Sequence, residues 1–284
     1  MSQPIRDKAR ELLQTRKVDC VIGYERATDG ITARPLFVYD VKDVDRLIFD
    51  RTCVHNLSRY LRDRRDRMTA IVAKPCDARG INMLLNEHQL DRQKLFIIGV
   101  VCHGVDERCW GQTDTRQQAR CQWCRQHVPP VYDFLVGEKP AGEPPSAGFP
   151  DIEEFEKKSP AERRAFWEEQ YRACIRCNAC RHSCPGCYCQ ECFAENLDPT
   201  WIGIRIAPAE SQIWNLVRAF HLSGRCVDCG ACEQACPVNI PLMLLNRKLQ
   251  KDGIEFFGFE PGLSAEAVPP FATFRKDERP GGEG

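Results

Sequence analysis

Two cysteine runs in the second half of the chain have the spacing of residues that bind iron–sulfur clusters. Cysteines stand at positions 174, 177, 180 and 184 in the first run, and at 226, 229, 232 and 236 in the second. A proline follows each run directly. Both runs read C-x2-C-x2-C-x3-C-P, the spacing with which bacterial proteins hold pairs of 4Fe–4S clusters. The sequence therefore predicts a region that transfers single electrons.

The spacing also predicts which cysteines share a cluster. Three thiolates on a tight loop reach one cubane, and the fourth cysteine of that run ligates the other cubane. The predicted first cluster has the ligands Cys174, Cys177, Cys180 and Cys236. The predicted second cluster has the ligands Cys184, Cys226, Cys229 and Cys232. The small residues Ala179, Gly230 and Ala231 suit loops that wrap closely around a cofactor.

Zinc is the alternative metal for these runs. Zinc sites usually present their cysteines as separated pairs, whereas each run here is a triplet followed by Cys-Pro. Two complete copies of the spacing favour clusters over zinc.

Three further cysteines follow the first run in the segment GCYCQECF, residues 186–193. Cys187, Cys189 and Cys192 within six positions favour a further metal cluster. The sequence does not identify a fourth ligand for it. The alternative is that these are free thiols in a loop.

The elements that must position these residues form two predicted domains. Residues 1–135 combine short strands with helices, and the strand–helix–strand order around residues 68–101 is a βαβ unit. We expect an α/β domain with a partly parallel sheet, a Pro- and Gly-rich linker at 136–150, and an α-helical, loop-rich, dicluster ferredoxin-like domain at 151–252. Residues 253–284 read as a docking arm or a disordered tail.

The first domain contains a second set of cysteines. Cys76 follows one buried strand and Cys102 ends the next, so both are expected at one edge of a parallel sheet, where ligands bind. Cys121 and Cys124 could fold back to complete a four-cysteine site for a third cluster, with Cys53 and Cys109 in reserve. The alternative is buried structural cysteines plus an incidental pair.

Other candidate residues in this domain are Lys74, Arg79 and His103. The first two flank Pro75-Cys76-Asp77 and could meet a phosphate or the charge of a cluster; His103 could touch a flavin or a substrate. The alternative for each residue is an ordinary role, either a structural contact within the protein or exposure to solvent. The chain has no P-loop and no G-x-G-x-x-G, which argues against a standard dinucleotide fold.

The composition limits the function classes. Lys+Arg and Asp+Glu are both 40, and this balance argues against a nucleic-acid partner. No apolar run is long enough to predict a transmembrane helix. The 18 cysteines, with no signal-peptide core at the N-terminus, indicate a reducing compartment, and we expect a cytoplasmic protein.

Several segments resemble the beta-subunit family of deazaflavin-reducing hydrogenases and formate dehydrogenases. They are IVAKPCDARGINMLLNEHQL with KLFIIGVVCHG (71–104), CQWCRQHVPPVYDFLVGE (121–138) and CNACRHSCPGCYCQECF (177–193). The resemblance implies an electron-relay subunit with FAD and a cluster in the first domain, at Cys76, Cys102, Cys121 and Cys124. Heterodisulfide-reductase-type complexes also use such subunits.

Together, these observations predict an iron–sulfur electron-transfer subunit of a multi-subunit oxidoreductase. Its partners would be other subunits of that complex, and a ferredoxin-like or flavin carrier. The alternative is a flavin-dependent reductase with its own substrate pocket in the first domain. A structural zinc protein that scaffolds a complex is the third class.

Overall fold

A five-stranded mixed sheet organises the N-terminal part of the chain. The computed structural model describes residues 1–107, 116–142 and 148–270. Cys109, part of the predicted linker and the end of the predicted tail lie outside these residues. The strands are β1 (Cys20–Arg26), β2 (Ala33–Val38), β3 (Thr69–Ala73), β4 (Leu95–Val100) and β5 (Phe134–Val136). Their order is β2-β1-β3-β4-β5; β1 and β2 are antiparallel and the other neighbours are parallel.

The sheet core explains why the central strands are apolar throughout. All five residues of β3 are buried, since this strand has neighbours on both sides and is covered on both faces. Helix α1 (Ser2–Gln14) buries Ile5, Ala9 and Leu12 in the core, and its other face is polar. Helix α2 (Pro75–Asn86) makes the crossover from β3 to β4. The predicted βαβ unit is thus confirmed.

A short 3₁₀ helix, Leu57–Arg64, lies between β2 and β3. Its start is fixed by side chains: Asn56 accepts a hydrogen bond from the Ser58 amide, and the Asp77 carboxylate accepts one from the Leu57 amide at 2.8 Å. This second bond ties the segment to the first turn of α2.

The C-terminal part is helical, with long loops. Its helices are α4 (Pro150–Glu156), α5 (Pro160–Ala173), α6 (Ala179–His182), α7 (Pro208–His221), α8 (Ala231–Gln234) and α9 (Leu242–Phe257), and the short α3 (Ala119–Gln122) precedes β5. Helix α5 packs on α7, α7 on α9, and α6 on α8. An α/β domain followed by a helical, cysteine-rich region is the predicted fold class, and it is confirmed.

The residues after 252 form the end of a helix and a segment that lies on α2. Helix α9 continues to Phe257, and the chain beyond it lies against α2. Asn82 and Asn86 on α2 donate hydrogen bonds to backbone carbonyls of Gly262 and Ala265. We call residues 259–270 the C-terminal strap. In the described ranges, no helix is long and apolar enough to cross a membrane.

Candidate functional site

The two cysteine runs, called here the first motif (174–185) and the second motif (226–237), have the same backbone shape. In each, the residues two and four positions after the first cysteine are left-handed: Arg176 and Asn178 have φ of 49° and 60°, and Asp228 and Gly230 have φ of 56° and 68°. A one-turn helix follows in both, α6 in the first motif and α8 in the second. Such loops turn tightly enough to place three thiols around one group.

The predicted first ligand set lies largely in one apolar cluster. Cys174 and Cys236 are buried there together with Ile240 and Met243, and Cys180 packs against them. The Cys180 thiol also interacts electrostatically with those of Cys174 and Cys177. Cys177 itself is exposed, so this set opens to solvent on one side.

The predicted second ligand set combines the second motif with one cysteine of the first. The thiol of Cys184 interacts electrostatically with those of Cys226, Cys229 and Cys232. Burial raises the pKa of Cys226 to about 12 and raises the pKa of Cys232 well above its ordinary value. The structure therefore places Cys184 near the thiols of the second motif, and Cys236 in an apolar cluster that contains cysteines of both motifs, Cys174 and Cys232.

The surroundings of both sets fit an iron–sulfur cluster. Backbone and amide N–H groups donate to the sulfurs: Ile240 to Cys236 at 3.4 Å, Asn215 to Cys174 at 3.7 Å and Asn246 to Cys232 at 3.7 Å. Such bonds adjust cluster potentials. Buried thiols resist ionisation, but coordination to a metal deprotonates them outright.

No three Cys, His, Asp or Glu side chains in residues 1–107, 116–142 and 148–270 are arranged to hold a single metal ion. A cubane is a larger group than an ion, and its thiolates stand correspondingly further apart.

Three cysteines of the first domain meet at the carboxyl edge of the sheet. The thiol of Cys102 interacts with those of Cys121 and Cys124, and the Cys102 amide donates to the His127 carbonyl at 2.9 Å. The backbone at Gly104 lies close to Cys121, because a Cβ at Gly104 would stand 3.2 Å from the Cβ of Cys121. Burial raises the pKa values of Cys102 and Cys124.

Cys76, the fourth member of that predicted set, faces the second motif as well. It lines a cavity together with Cys124, and it packs beside Val227 and Cys229. Burial raises its pKa well above the ordinary value, and the charge of Arg120 opposes that shift. Cys76 thus stands between the first-domain cysteines and the second motif.

Lys74 and Arg79 have protein partners. Lys74 is 1% exposed, forms an ion pair with Asp77 at 2.9 Å and contacts the hydroxyl of Tyr24. Arg79 donates to the Pro261 carbonyl at 2.7 Å and pairs with Glu260 at 3.0 Å. Both residues therefore make ordinary structural contacts, which were the alternative to binding a phosphate.

His103, the third residue considered for a flavin, is exposed and stacks on His127 with ring centroids 5.8 Å apart. Lys74 and Arg79 thus have protein partners, and a flavin at these three residues stays a prediction.

Two arginines near the cysteines were not anticipated from the sequence. Arg120 donates to the Asp228 carbonyl, and Arg218, which is 4% exposed, donates to the Cys180 carbonyl at 2.9 Å. No spacing in the sequence marks them, because their partners are 108 and 38 positions away.

Comparisons with known proteins agree with these observations. Residues 222–241 match the 4Fe–4S binding domain family. The chain is 22% identical over 357 aligned residues to the F420-dependent formate dehydrogenase subunit beta of Methanocaldococcus jannaschii, with 92% of this chain and 91% of that protein covered. It is 27% identical over 103 residues to the F420-dependent formate dehydrogenase 1 subunit beta of Methanococcus maripaludis, covering 36% of this chain and 26% of that protein. The resemblance read from the sequence is thereby confirmed: the chain is similar to formate dehydrogenase beta subunits, and residues 222–241 match a 4Fe–4S binding domain.

Proposed function

We propose that the chain is an electron-transfer subunit that holds two 4Fe–4S clusters in its C-terminal half and works within a multi-subunit oxidoreductase. The 4Fe–4S binding domain and the relationship to formate dehydrogenase beta subunits support the iron–sulfur role. The proposed ligands are those of the two crossed sets, Cys174, Cys177, Cys180 and Cys236 in one, and Cys184, Cys226, Cys229 and Cys232 in the other.

This proposal rests on the exchange of the fourth cysteines, by which each motif supplies one ligand to the cluster of the other motif. Cys236 is buried in an apolar cluster with Cys174, to which Cys232 also belongs, and the thiol of Cys184 interacts with three thiols of the second motif. The position of Cys184 is therefore the stronger support for the exchange. A pair of independent zinc sites would not need this exchange, whereas a dicluster site requires it.

When bound, the clusters would supply reversible one-electron chemistry. The chain's own residues would hold them, donate hydrogen bonds to the sulfurs and shield the thiolates other than that of Cys177 from water. The exposed side of the first motif suits contact with a redox partner. Beside it, Arg176 donates to the carbonyl of Arg205 at 2.8 Å and so holds a loop on which Ile204 is 91% exposed.

We propose a third cluster at Cys76, Cys102, Cys121 and Cys124. The proximity of Cys102, Cys121 and Cys124 supports it, and so does the position of Cys76 on the cavity that Cys124 also lines. Arg120 would serve as a counter-charge between this cluster and the second motif. Its Nε is buried and has no hydrogen-bond partner among the described residues.

The partner complex is proposed from the relatives. Both are named as beta subunits of a formate dehydrogenase. We therefore propose other subunits of a formate dehydrogenase, hydrogenase or heterodisulfide-reductase-type complex as partners, in the cytoplasm. The electrons would pass between a redox centre of such a partner and a separate carrier.

Anaerobic purification followed by iron and sulfide counting tests the proposal. We expect at least about eight irons per chain for two cubanes and about twelve with the third, together with EPR signals of reduced 4Fe–4S clusters. Zinc without iron would overturn it in favour of a scaffold. Tightly bound flavin would instead support the independent reductase.

A further inference from the structure

A cavity lies between residues 186–193, which we call the intervening loop, and the end of α7. All three cysteines of the loop line it, and His221 from the last turn of α7 lines it as well. The other residues of its wall include Phe193, Trp214 and three arginines, Arg181, Arg218 and Arg225. The cavity therefore collects three thiols and one imidazole, a complete set of four ligands.

The loop is held firmly against α7. The ring of Phe193 stacks on Trp214 with centroids 5.8 Å apart and meets the His221 ring edge-on at 5.2 Å. At the other end of the loop, Gly186 passes close to α7, because a Cβ there would stand 2.9 Å from Leu222. The walls that carry the four ligands are thus fixed by packing on both sides.

Arg218 indicates that this region holds negative charge. The side chain is 4% exposed, and its Nε is buried without a hydrogen-bond partner in the described part of the chain. The same side chain lines the cavity beside the three loop cysteines, and its Nη2 donates to the Cys180 carbonyl at 2.9 Å. A buried cation is costly unless an anion faces it.

The neighbouring arginines do not create the same need. Arg181 pairs with Glu195, and Arg225 pairs with Glu87 at 2.7 Å. Their charges are compensated by carboxylates, whereas Arg218 has no carboxylate partner among the residues that the structure describes, and its Nε is unpartnered. An anionic group ligated by thiolates beside Arg218 would satisfy it.

We propose that Cys187, Cys189 and Cys192, with His221 as the fourth ligand, hold a further 4Fe–4S cluster in this cavity, and that Arg218 faces its negative charge. This site is separate from the clusters of the proposed function and can be present or absent independently of them. Cys187 hydrogen-bonds to Cys184, so the new site adjoins the second ligand set.

The experiment compares the full-length chain, purified anaerobically, with the double variant C189S/C192S. These two positions are chosen because Cys187 contacts a proposed ligand of another cluster, and its loss would disturb both. We expect the double variant to lose about four irons and four sulfides per chain. We expect the double variant to keep the clusters of the two motifs, and their EPR signals measure this. An unchanged iron count, or zinc at the site in the parent protein, would overturn the proposal.

A spectroscopic test identifies the histidine. With ¹⁵N-histidine incorporated, pulsed EPR of the reduced protein should show a strongly coupled nitrogen that disappears in His221→Cys while the iron count is retained. His88→Asn is the matched control, since His88 is exposed and left-handed and Asn tolerates that backbone. Retention of the coupling in His221→Cys would exclude His221 as a ligand. Arg218→Met should shift the potential of the cluster to more negative values.

Discussion

Arg120 donates a hydrogen bond from Nη1 to the backbone carbonyl oxygen of Asp228, at 2.8 Å. The bond links α3, which contains Cys121, to the loop of the second motif. Gly230 in that loop leaves room for the guanidinium, because a Cβ there would stand 2.2 Å from Nε of Arg120. The two candidate cluster regions therefore touch through one side chain and one glycine.

We expect Arg120→Met to destabilise the chain by about 1.5–3 kcal/mol, since it removes a charge-assisted hydrogen bond. Gly230→Ala should cost at least about 1 kcal/mol, because it places a Cβ on a left-handed residue, in addition to the clash. The double variant should cost less than the sum, because the methionine can move away from the new methyl group. Denaturant midpoints measured anaerobically give these values.

Arg125→Met is the control for this cycle. Arg125 is 40% exposed and pairs with Glu260 at 3.5 Å, and the three atoms nearest a Cβ at Gly230 all belong to Arg120. Its effect should add to that of Gly230→Ala within error. Full additivity of Arg120→Met with Gly230→Ala would contradict the contact.

The exchanged fourth cysteines predict which cluster each substitution damages. Cys236→Ala should remove the cluster held mainly by the first motif, and Cys184→Ala should remove the one held mainly by the second. Each variant should lose about four irons. Because Cys177 leaves the first site open to solvent, EPR with a water-soluble relaxing agent distinguishes the two clusters. Cys20→Ala, in the sheet core, is the control and should keep all its iron.

The opposite assignment would overturn the exchange. If Cys236→Ala abolished the solvent-shielded cluster and Cys184→Ala the accessible one, each motif would hold its own cluster with all four of its cysteines.

The cluster motifs and the central strands could be predicted because their signals are local. The C-x2-C-x2-C-x3-C-P spacing is contained in a dozen residues, and the buried strands β3 and β4 are short apolar runs between polar turns. The crossing of Cys184 and Cys236, inferred from the same spacing, stays a prediction. Each of these inferences needed no knowledge of a distant partner.

The remaining features depend on partners that are far away in the sequence. Arg79 looked available for a phosphate, but its partner Pro261 lies 182 positions further along the chain. The 3₁₀ helix after Asn56 begins where it does because Asp77 reaches across to it. The role of Arg218 is set by thiols from three separate segments. Periodicity carries no information about such contacts.

Lys74 is expected to stabilise the first domain without binding a cofactor. Its ion pair with Asp77 is buried, with side chains 1% and 0% exposed. Removing one partner leaves an uncompensated buried charge, so Lys74→Met should lower the free energy of unfolding by about 3–5 kcal/mol. Lys42→Met, in an exposed pair with Asp40, should leave it nearly unchanged. A stable Lys74→Met protein that had lost a bound flavin would point to a cofactor role instead.

The C-terminal strap should be released when Arg79 is replaced. The side chain of Arg79 donates twice to the Pro261 carbonyl, at 3.0 and 2.7 Å, and pairs with Glu260. Losing hydrogen bonds from a charged donor costs about 1.5–3 kcal/mol, which makes local opening roughly 10- to 100-fold more frequent. A glutamate-specific protease should therefore cut at Glu266 faster by that factor in Arg79→Met. Arg92→Met, which breaks a pair with Asp133, is the matched control and should leave the rate unchanged. Equal cleavage rates in the two variants would mean that Asn82 and Asn86 hold the strap without help from Arg79.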